Sequence, residues 1–287
     1  MRLPALLCLF ASAISAQVFT FTKEQMIRYT AQNPFDRFPD GRPKAPDELI
    51  EKLKALSMEE VWSVLPRAGY PCQYADGFRI LHPGRKLVGR AVTAQFMPVR
   101  ADVNEIIAAE GKAKGYQGGQ NQWVIDQLQP GDVLVVDLFG KIDGGTFIGD
   151  NLAYYIMKKT GTGLVVDGGI RDLEGIASLD LQIYFRGAHP SAINNLMLTG
   201  FNVPVRIGGA TVMPGDLVLG DREGVYFIPP QLLAEVLERA AVSRVHDEWT
   251  RMKFDEGKYK SSDIYGSPRD PALKKEYEEY RKKKLGK

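Results

Sequence analysis

The stretch GGTFIGDNLAYYIMKKTGTGLVVDGGIRD, Gly144 to Asp172, decides how this chain folds and raises the question of what it does. A helix-like segment, NLAYYIMKKT, follows Gly149-Asp150-Asn151. A short apolar run, GLVVDGG, then ends in Arg171-Asp172. Neither Gly-Asp-Asn nor Arg-Asp is needed merely to build a core. Upstream lies VLVVDLFG and downstream LQIYFRG, two more brief apolar runs ending in Asp or Gly, the pattern of buried strands. NLAYYIMKKT and IRDLEGIASL separate the three runs with helical spacing. Strand alternating with helix implies right-handed crossovers and a mostly parallel segment.

Outward from this centre, LVGRAVTAQFMPV alternates as a strand, while VNEIIAAEGKAKG and QNQWVIDQLQPGD read as helices, the second stopped by Pro130-Gly131. VPVRIGGATVMPGDLVLGDREGVYFIP is glycine-punctuated β structure, followed by a long helix, PQLLAEVLERAAVSRVHDEWTRMK. Before the centre, DELIEKLKAL has helical spacing, and Ser57 with Glu60 forms the sequence of a capping box opening MEEVWSVLPRAG. Gln17 to Pro46 is rich in Pro, Asp, Arg and aromatic residues and reads as an arm, with Phe35 to Pro46 suited to wrapping a neighbour. The tail RDPALKKEYEEYRKKKLGK spaces Glu278–Lys282 and Glu279–Lys283 as i,i+4 pairs, so it reads as a solvated helix.

The 287 residues are 44% hydrophobic and 25% charged, with a formal net charge of +2, which gives no general mandate for nucleic acid or membranes. No apolar run approaches the roughly 18–20 residues of a spanning helix. MRLPALLCLFASAISAQVF has one Arg, an apolar block from Leu3 to Phe10 and then small residues, the order of a secretory signal. Cleavage is expected after Ala13 or Ala16, with export to the periplasm or the exterior; the alternative is a buried N-terminal strand or helix in a cytoplasmic protein. Cys8 would leave with the signal, and Cys72 alone makes no intrachain disulfide.

Gly149-Asp150-Asn151-Leu152 stands where a helix begins, and unpaired backbone N–H groups there favour a carboxylate or phosphate. Asp150 as an ordinary N-cap is the competing reading. The Gly144, Gly145 and Gly149 spacing does not match a dinucleotide loop, and no P-loop lysine motif occurs. Arg171 and Asp172 follow a strand at its carboxyl end, where open α/β sheets bind ligands. Adjacent parallel strands would bring them beside the Gly149–Leu152 loop. A hard divalent cation suits oxygen ligands and keeps several waters when one carboxylate holds it. A surface pair capping the next helix fits the spacing equally. His82, His189 and His246 are scattered, without metal-ligand spacing; His189 in RGAHPSA reads as an ordinary loop histidine, with a place near a site as the alternative.

GRAVTA, GDVLVVDLFG, GTFIGDNLAYYIMKKTGTGLVVDGGIRDLEGI, FRG and VMPGDLVLGDREGVYFIP together resemble the RraA-like family from about Gly89 to Pro230. That family includes metal-dependent 4-hydroxy-4-methyl-2-oxoglutarate aldolases, which also decarboxylate oxaloacetate, and the inhibitor protein of ribonuclease E. The resemblance implies a compact α/β sandwich similar to swivelling phosphohistidine domains, assembled as a homotrimer or hexamer. It assigns Gly149, Asp150, Asn151 and Leu152 to the pyruvyl carboxylate, Arg171 to a substrate oxygen and Asp172 to Mg2+ or Mn2+. It implies a small 2-oxo acid substrate cleaved to a pyruvate enolate, with Arg171 as an electrostatic clamp and Asp150 orienting the water that takes the hydroxyl proton. With the resemblance assigning the catalytic domain to 87–250, the residues outside the family core read as a signal peptide over 1–16, an N-terminal arm and short helices over 17–86 and a charged extension over 251–287. Export argues against ribonuclease inhibition. A non-catalytic regulator and a lyase of an oxidised sugar acid are the alternatives.

Overall fold

The structure is a computed structural model that describes residues 19–286. The segment read as a signal peptide lies outside the described residues. In chain order the elements begin with α1 (Lys23–Tyr29), β1 (Asp36–Arg37), β2 (Pro43–Lys44), α2 (Asp47–Leu53), α3 (Met58–Trp62), β3 (Tyr74–Ala75) and β4 (Arg79–Ile80). Then come β5 (Leu87–Pro98), α4 (Ala101–Ala113), α5 (Gln120–Ile125), β6 (Asp132–Asp137), α6 (Asp150–Thr160), β7 (Gly163–Ile170), α7 (Leu173–Ala177) and β8 (Gln182–Ala188). The last group is β9 (Leu196–Phe201), β10 (Val205–Ile207), β11 (Ala210–Val212), β12 (Leu217–Gly220), β13 (Val225–Ile228), α8 (Leu233–Asp255), α9 (Ser261–Ile264) and α10 (Pro271–Leu285).

The fold is mixed α/β, built on one sheet in the order β3-β13-β12-β5-β6-β7-β8-β4, with β9 paired to the far half of β5. Strands β5, β6, β7 and β8 are parallel, and their neighbours on both sides are antiparallel. Every residue of β6 and β7 is buried, which explains the unbroken apolar runs: both faces of these strands are covered. On one face α4, α5, α6 and α7 enclose a core around Val136, Phe147, Ile156, Val166 and Ile183. On the other, the β10–β11 hairpin packs over Val133, Val135 and Val165. A third cluster joins α2, α3 and the start of α8 to β12 and β13. No helix among the described residues is long and apolar enough to cross a membrane.

Several local expectations meet their physical cause. Ser57 accepts from the Glu60 N–H while the Glu60 carboxylate accepts from the Ser57 N–H, so the capping box forms. The helix expected over IRDLEGIASL is only α7, because Ile170 still belongs to β7 and Asp172 takes a left-handed backbone, φ 58°. Within the chain, part of the arm packs on the body. Arg42 is buried and grips Asp132, Phe38 lies under the Arg42 guanidinium at 4.3 Å, and Arg90 pairs with Asp47. Phe19 bridges the free edge of β9 at Gly200. The C-terminal helix α10 is mostly exposed, yet Leu273 and Tyr277 pack against Trp249 of α8, so one face is not solvated.

Candidate active site

The carboxyl ends of β6 and β7 deliver two loops to one place. After β6, the chain runs through a glycine-rich loop to Phe147-Ile148-Gly149, which lies along the end of β7. The Phe147 N–H donates to Gly169 O at 2.9 Å and the Arg171 N–H donates to Ile148 O at 3.0 Å. These two bonds fix the start of α6 beside the Arg171-Asp172 turn. The adjacency expected from parallel strands is therefore present.

Gly149 is the closest point. A Cβ there would stand 2.2 Å from Asp172 Oδ2 and 2.7 Å from Arg171 Nε, so no larger residue fits without displacing that pair. This is a contact requirement, not a conformational one, because the Gly149 backbone is extended. Gly149 is itself the N-cap of α6, and Asp150 is the first helical residue, which removes the reading of Asp150 as the cap. The Asp150 carboxylate instead accepts from the Asn151 backbone N–H at 2.7 Å and from its side-chain amide at 3.2 Å. The first bond of α6 runs from the Ala153 N–H to Gly149 O. The N–H groups of Asp150 and Leu152 thus have no intrahelical acceptor and stand at the positive end of the helix dipole.

Asp172 occupies the N-cap position of α7 but makes no side-chain capping bond. Its carboxylate, 42% exposed, lies 3.3 Å from Arg171 Nε, itself 36% exposed. An ion pair so accessible stabilises a fold by well under about 1 kcal/mol. A left-handed backbone on a non-glycine residue costs energy. Here neither helix capping nor a strong salt bridge offsets that cost. The capping explanation for the Arg-Asp pair is therefore absent from the geometry.

Three residues support the site beyond those assigned from the sequence. Asn121 is buried and donates from Nδ2 to Phe147 O at 2.8 Å, tying α5 to the loop before Gly149. Thr146 Oγ1 donates to Ser191 O at 2.6 Å. His189, read as an ordinary loop residue, donates its N–H to Ile170 O and contacts Ser191 Oγ at 2.8 Å, so the β8–β9 loop borders the site. Of the three, His189 carried a sequence hint, a histidine in the RGAHPSA loop with a place near a site as its alternative reading; Asn121 and Thr146 carried none.

Among the described residues no group of three His, Cys, Asp or Glu side chains converges to enclose a metal. Around Asp172 the donors are a single open carboxylate with Asp150 close to α7, where a Cβ on Gly175 would lie 2.9 Å from Asp150 Oδ2. This set fits a hard, hydrated dication held through one carboxylate and does not fit a closed zinc-type centre. A cleft of about 680 Å3 lies at the opposite, amino end of the parallel strands, lined by both signs of charge including Asp47, Lys54, Lys86 and Asp180. It has none of the convergent loops described above.

Comparison with known proteins agrees with this architecture. The sequence profile of the RraA-like family, described as Aldolase/RraA, matches residues 63–227, more than half of the chain. Protein DlpA of Legionella pneumophila is 31% identical over 201 residues, covering 70% of this chain but 30% of that protein. The chain thus spans less than a third of that relative. A protein of Halalkalibacterium halodurans named "Putative 4-hydroxy-4-methyl-2-oxoglutarate aldolase" is 34% identical over 152 residues, 51% of this chain and 71% of its own length. The crystal structure of Streptomyces coelicolor RraAS2, described as an unusual member of the RNase ES inhibitor RraA protein family, superposes with a TM-score of 0.63 at 32% identity, covering 76% of this chain and all of that one. An uncharacterised Pseudomonas syringae protein gives 0.62 at 26% identity, covering 79% and 94%. The chain belongs to the RraA-like family.

Proposed function

We propose that this protein is a divalent-metal-dependent lyase that cleaves a carbon–carbon bond of a small 2-oxo acid and releases pyruvate. The observation that carries the reading is Asp172: a strained N-cap residue whose carboxylate does not cap its helix and is packed against Gly149 beside Arg171. Relatives named as aldolases support the reaction class.

Asp172 would hold Mg2+ or Mn2+. When bound, the ion supplies a Lewis acid at the substrate's 2-oxo carboxylate end. The Asp150 and Leu152 N–H groups at the start of α6 receive the substrate carboxylate, and Gly149 lets the backbone come close enough to do so. In the retro-aldol direction, a substrate of the 4-hydroxy-4-methyl-2-oxoglutarate type loses its hydroxyl proton. The C3–C4 electrons pass to the 2-oxo group, and a carbonyl forms at C4. The Arg171 guanidinium stabilises the oxygen on which negative charge develops. Asp150 orients the water that takes the hydroxyl proton. Protonation at C3 completes pyruvate. Loss of carbon dioxide from oxaloacetate leaves the same enolate and needs the same groups, apart from the proton acceptor.

The test is pyruvate release from a panel of 2-oxo acids with and without EDTA. EDTA-sensitive release from 4-hydroxy-4-methyl-2-oxoglutarate or oxaloacetate supports the reading, and no release from any substrate with added Mg2+ or Mn2+ contradicts it. The signal-like order of residues 1–16 supports an exported enzyme. Mass spectrometry of protein from its native host should find a start at Ile14 or Gln17; intact Met1 on most molecules would contradict export.

A further inference from the structure

The chain contains two Pro-Gly-Asp turns, Pro130-Gly131-Asp132 and Pro214-Gly215-Asp216, each leading into or beside a strand of the main sheet. They are built alike. Gly131 and Gly215 have φ of 79° and 89°. The Asp132 carboxylate accepts from the Gln129 N–H at 2.8 Å, and the Asp216 carboxylate accepts from the Met213 N–H at 2.8 Å. Both carboxylates are buried. Their surroundings then differ. Asp132 meets the Arg42 guanidinium through both oxygens, at 2.7 and 3.2 Å. Asp216 pairs with no cation among the described residues, and the Met213 N–H is its one side-chain partner.

A buried carboxylate without a counter-charge is costly, and proteins normally pair it. Asp216 instead lines a cleft of about 400 Å3 between the end of α1 and the β11–β12 turn. Tyr29 and Tyr70 contribute rings, and Arg28 stands exposed on α1. The neighbouring amide donors are already engaged: Gln73 Nε2 donates to Phe227 O at 2.9 Å and Gln231 Nε2 to Tyr70 Oη at 2.8 Å. The cleft therefore offers an acceptor and aromatic faces, and Arg28, its one lining cation, does not pair with the carboxylate, whose partner is the Met213 N–H. Its volume lies within the range of small-molecule sites.

We propose that this cleft is a second binding site, separate from the Arg171-Asp172 region, and that it takes a small organic ammonium ion. The ammonium group stands on Asp216 beside Tyr29 and Tyr70, whose ring faces attract cations. The site does not depend on the lyase reading. Burial pushes the Asp216 carboxyl up to about 7. Arg28, Tyr29 and Tyr70 are the other charged or titratable groups lining the cleft. Binding of the cation should therefore strengthen as pH rises from 6 to 8 and Asp216 ionises.

The experiment is isothermal titration calorimetry of the full chain with ethanolamine at pH 6 and pH 8, with ethylene glycol and potassium chloride as controls. The expected result is saturable binding of ethanolamine with Kd of about 1 mM at pH 8, several-fold weaker at pH 6, and no binding of ethylene glycol. Asp216→Asn keeps an oxygen for the Met213 N–H, so the turn survives; it should weaken binding at least tenfold. Tyr29→Ala, on an exposed residue, should weaken it several-fold without touching the turn. The proposal is overturned if wild-type protein shows no saturable binding, if potassium chloride reproduces the signal, or if a folded Asp216→Asn protein binds as tightly as wild type.

Discussion

The Arg42–Asp132 and Arg171–Asp172 pairs use the same two side chains at opposite ends of the parallel strands, and they could hardly be set more differently. Arg42 reaches across 90 residues to Asp132; both are buried, and the guanidinium fork meets the carboxylate at two points. Arg171 and Asp172 are sequence neighbours, more than a third exposed, and touch through one atom at 3.3 Å. The first pair has its hydrogen-bonding capacity largely used within the protein: Asp132 also accepts from the Gln129 N–H, although Arg42 Nε finds no partner. The second leaves donors and acceptors open toward solvent on a strained backbone. One geometry holds the arm to the body, and the other leaves room for a ligand. Residue type alone does not separate structural from chemical Arg-Asp pairs; burial and engagement do.

The comparison is broken most directly through stability. Arg42→Met leaves the Asp132 charge buried and unpaired and should cost about 3–5 kcal/mol of folding free energy, read by urea denaturation. Arg171→Lys should leave the urea midpoint unchanged, because exposed pairs contribute little. Its effect belongs to turnover: loss of the planar fork should slow pyruvate release on the order of 10²-fold. If Arg42→Met is as stable as wild type, or Arg171→Lys unfolds the protein, the division of roles fails.

A smaller effect sharpens the contrast between Asp132 and Asp216. Burial raises the Asp216 carboxyl to about 7, and burial also raises Asp137, with Asp167 adding to the effect against the Phe139 N–H. Both folded-state values lie above the unfolded value of about 3.9. Folding thus favours the neutral acid; for Asp216 this contribution is fully present below about pH 4 and is lost as pH rises through about 7. Asp216→Asn, which cannot ionise, should flatten the fall in melting temperature between pH 5 and pH 8. A variant with the wild-type slope would place the titration elsewhere.

The parallel centre of the fold was legible because β6, β7 and β8 are buried on both faces and so leave short apolar runs in the sequence. The two-residue strands β1 to β4 leave no period to read. β9 was missed for another reason. It is bounded by Asn195 and Asn202, both left-handed, and it pairs with the far half of the twelve-residue β5, which serves a second partner there. Gly149, Arg171 and Asp172 could be brought together from sequence by strand order. Asp172's left-handed backbone could not, because no glycine or other turn signal marks that position in the sequence. Arg42 was equally hidden: nothing in an arm rich in Pro and Arg names a partner 90 residues away. Asp216 was invisible because its sequence motif is shared with Asp132, and only packing tells them apart.

The central claim is that Asp172 carries the metal on which cleavage depends, while contributing little to the fold. Asp172→Asn should be measured with a substrate the wild type demonstrably cleaves, in pyruvate release across a Mn2+ titration, with circular dichroism to verify folding. A folded variant with weakened metal dependence and little pyruvate release at any Mn2+ concentration is the expected result. A folded variant with wild-type rate and wild-type metal dependence would contradict the account and place the chemistry elsewhere.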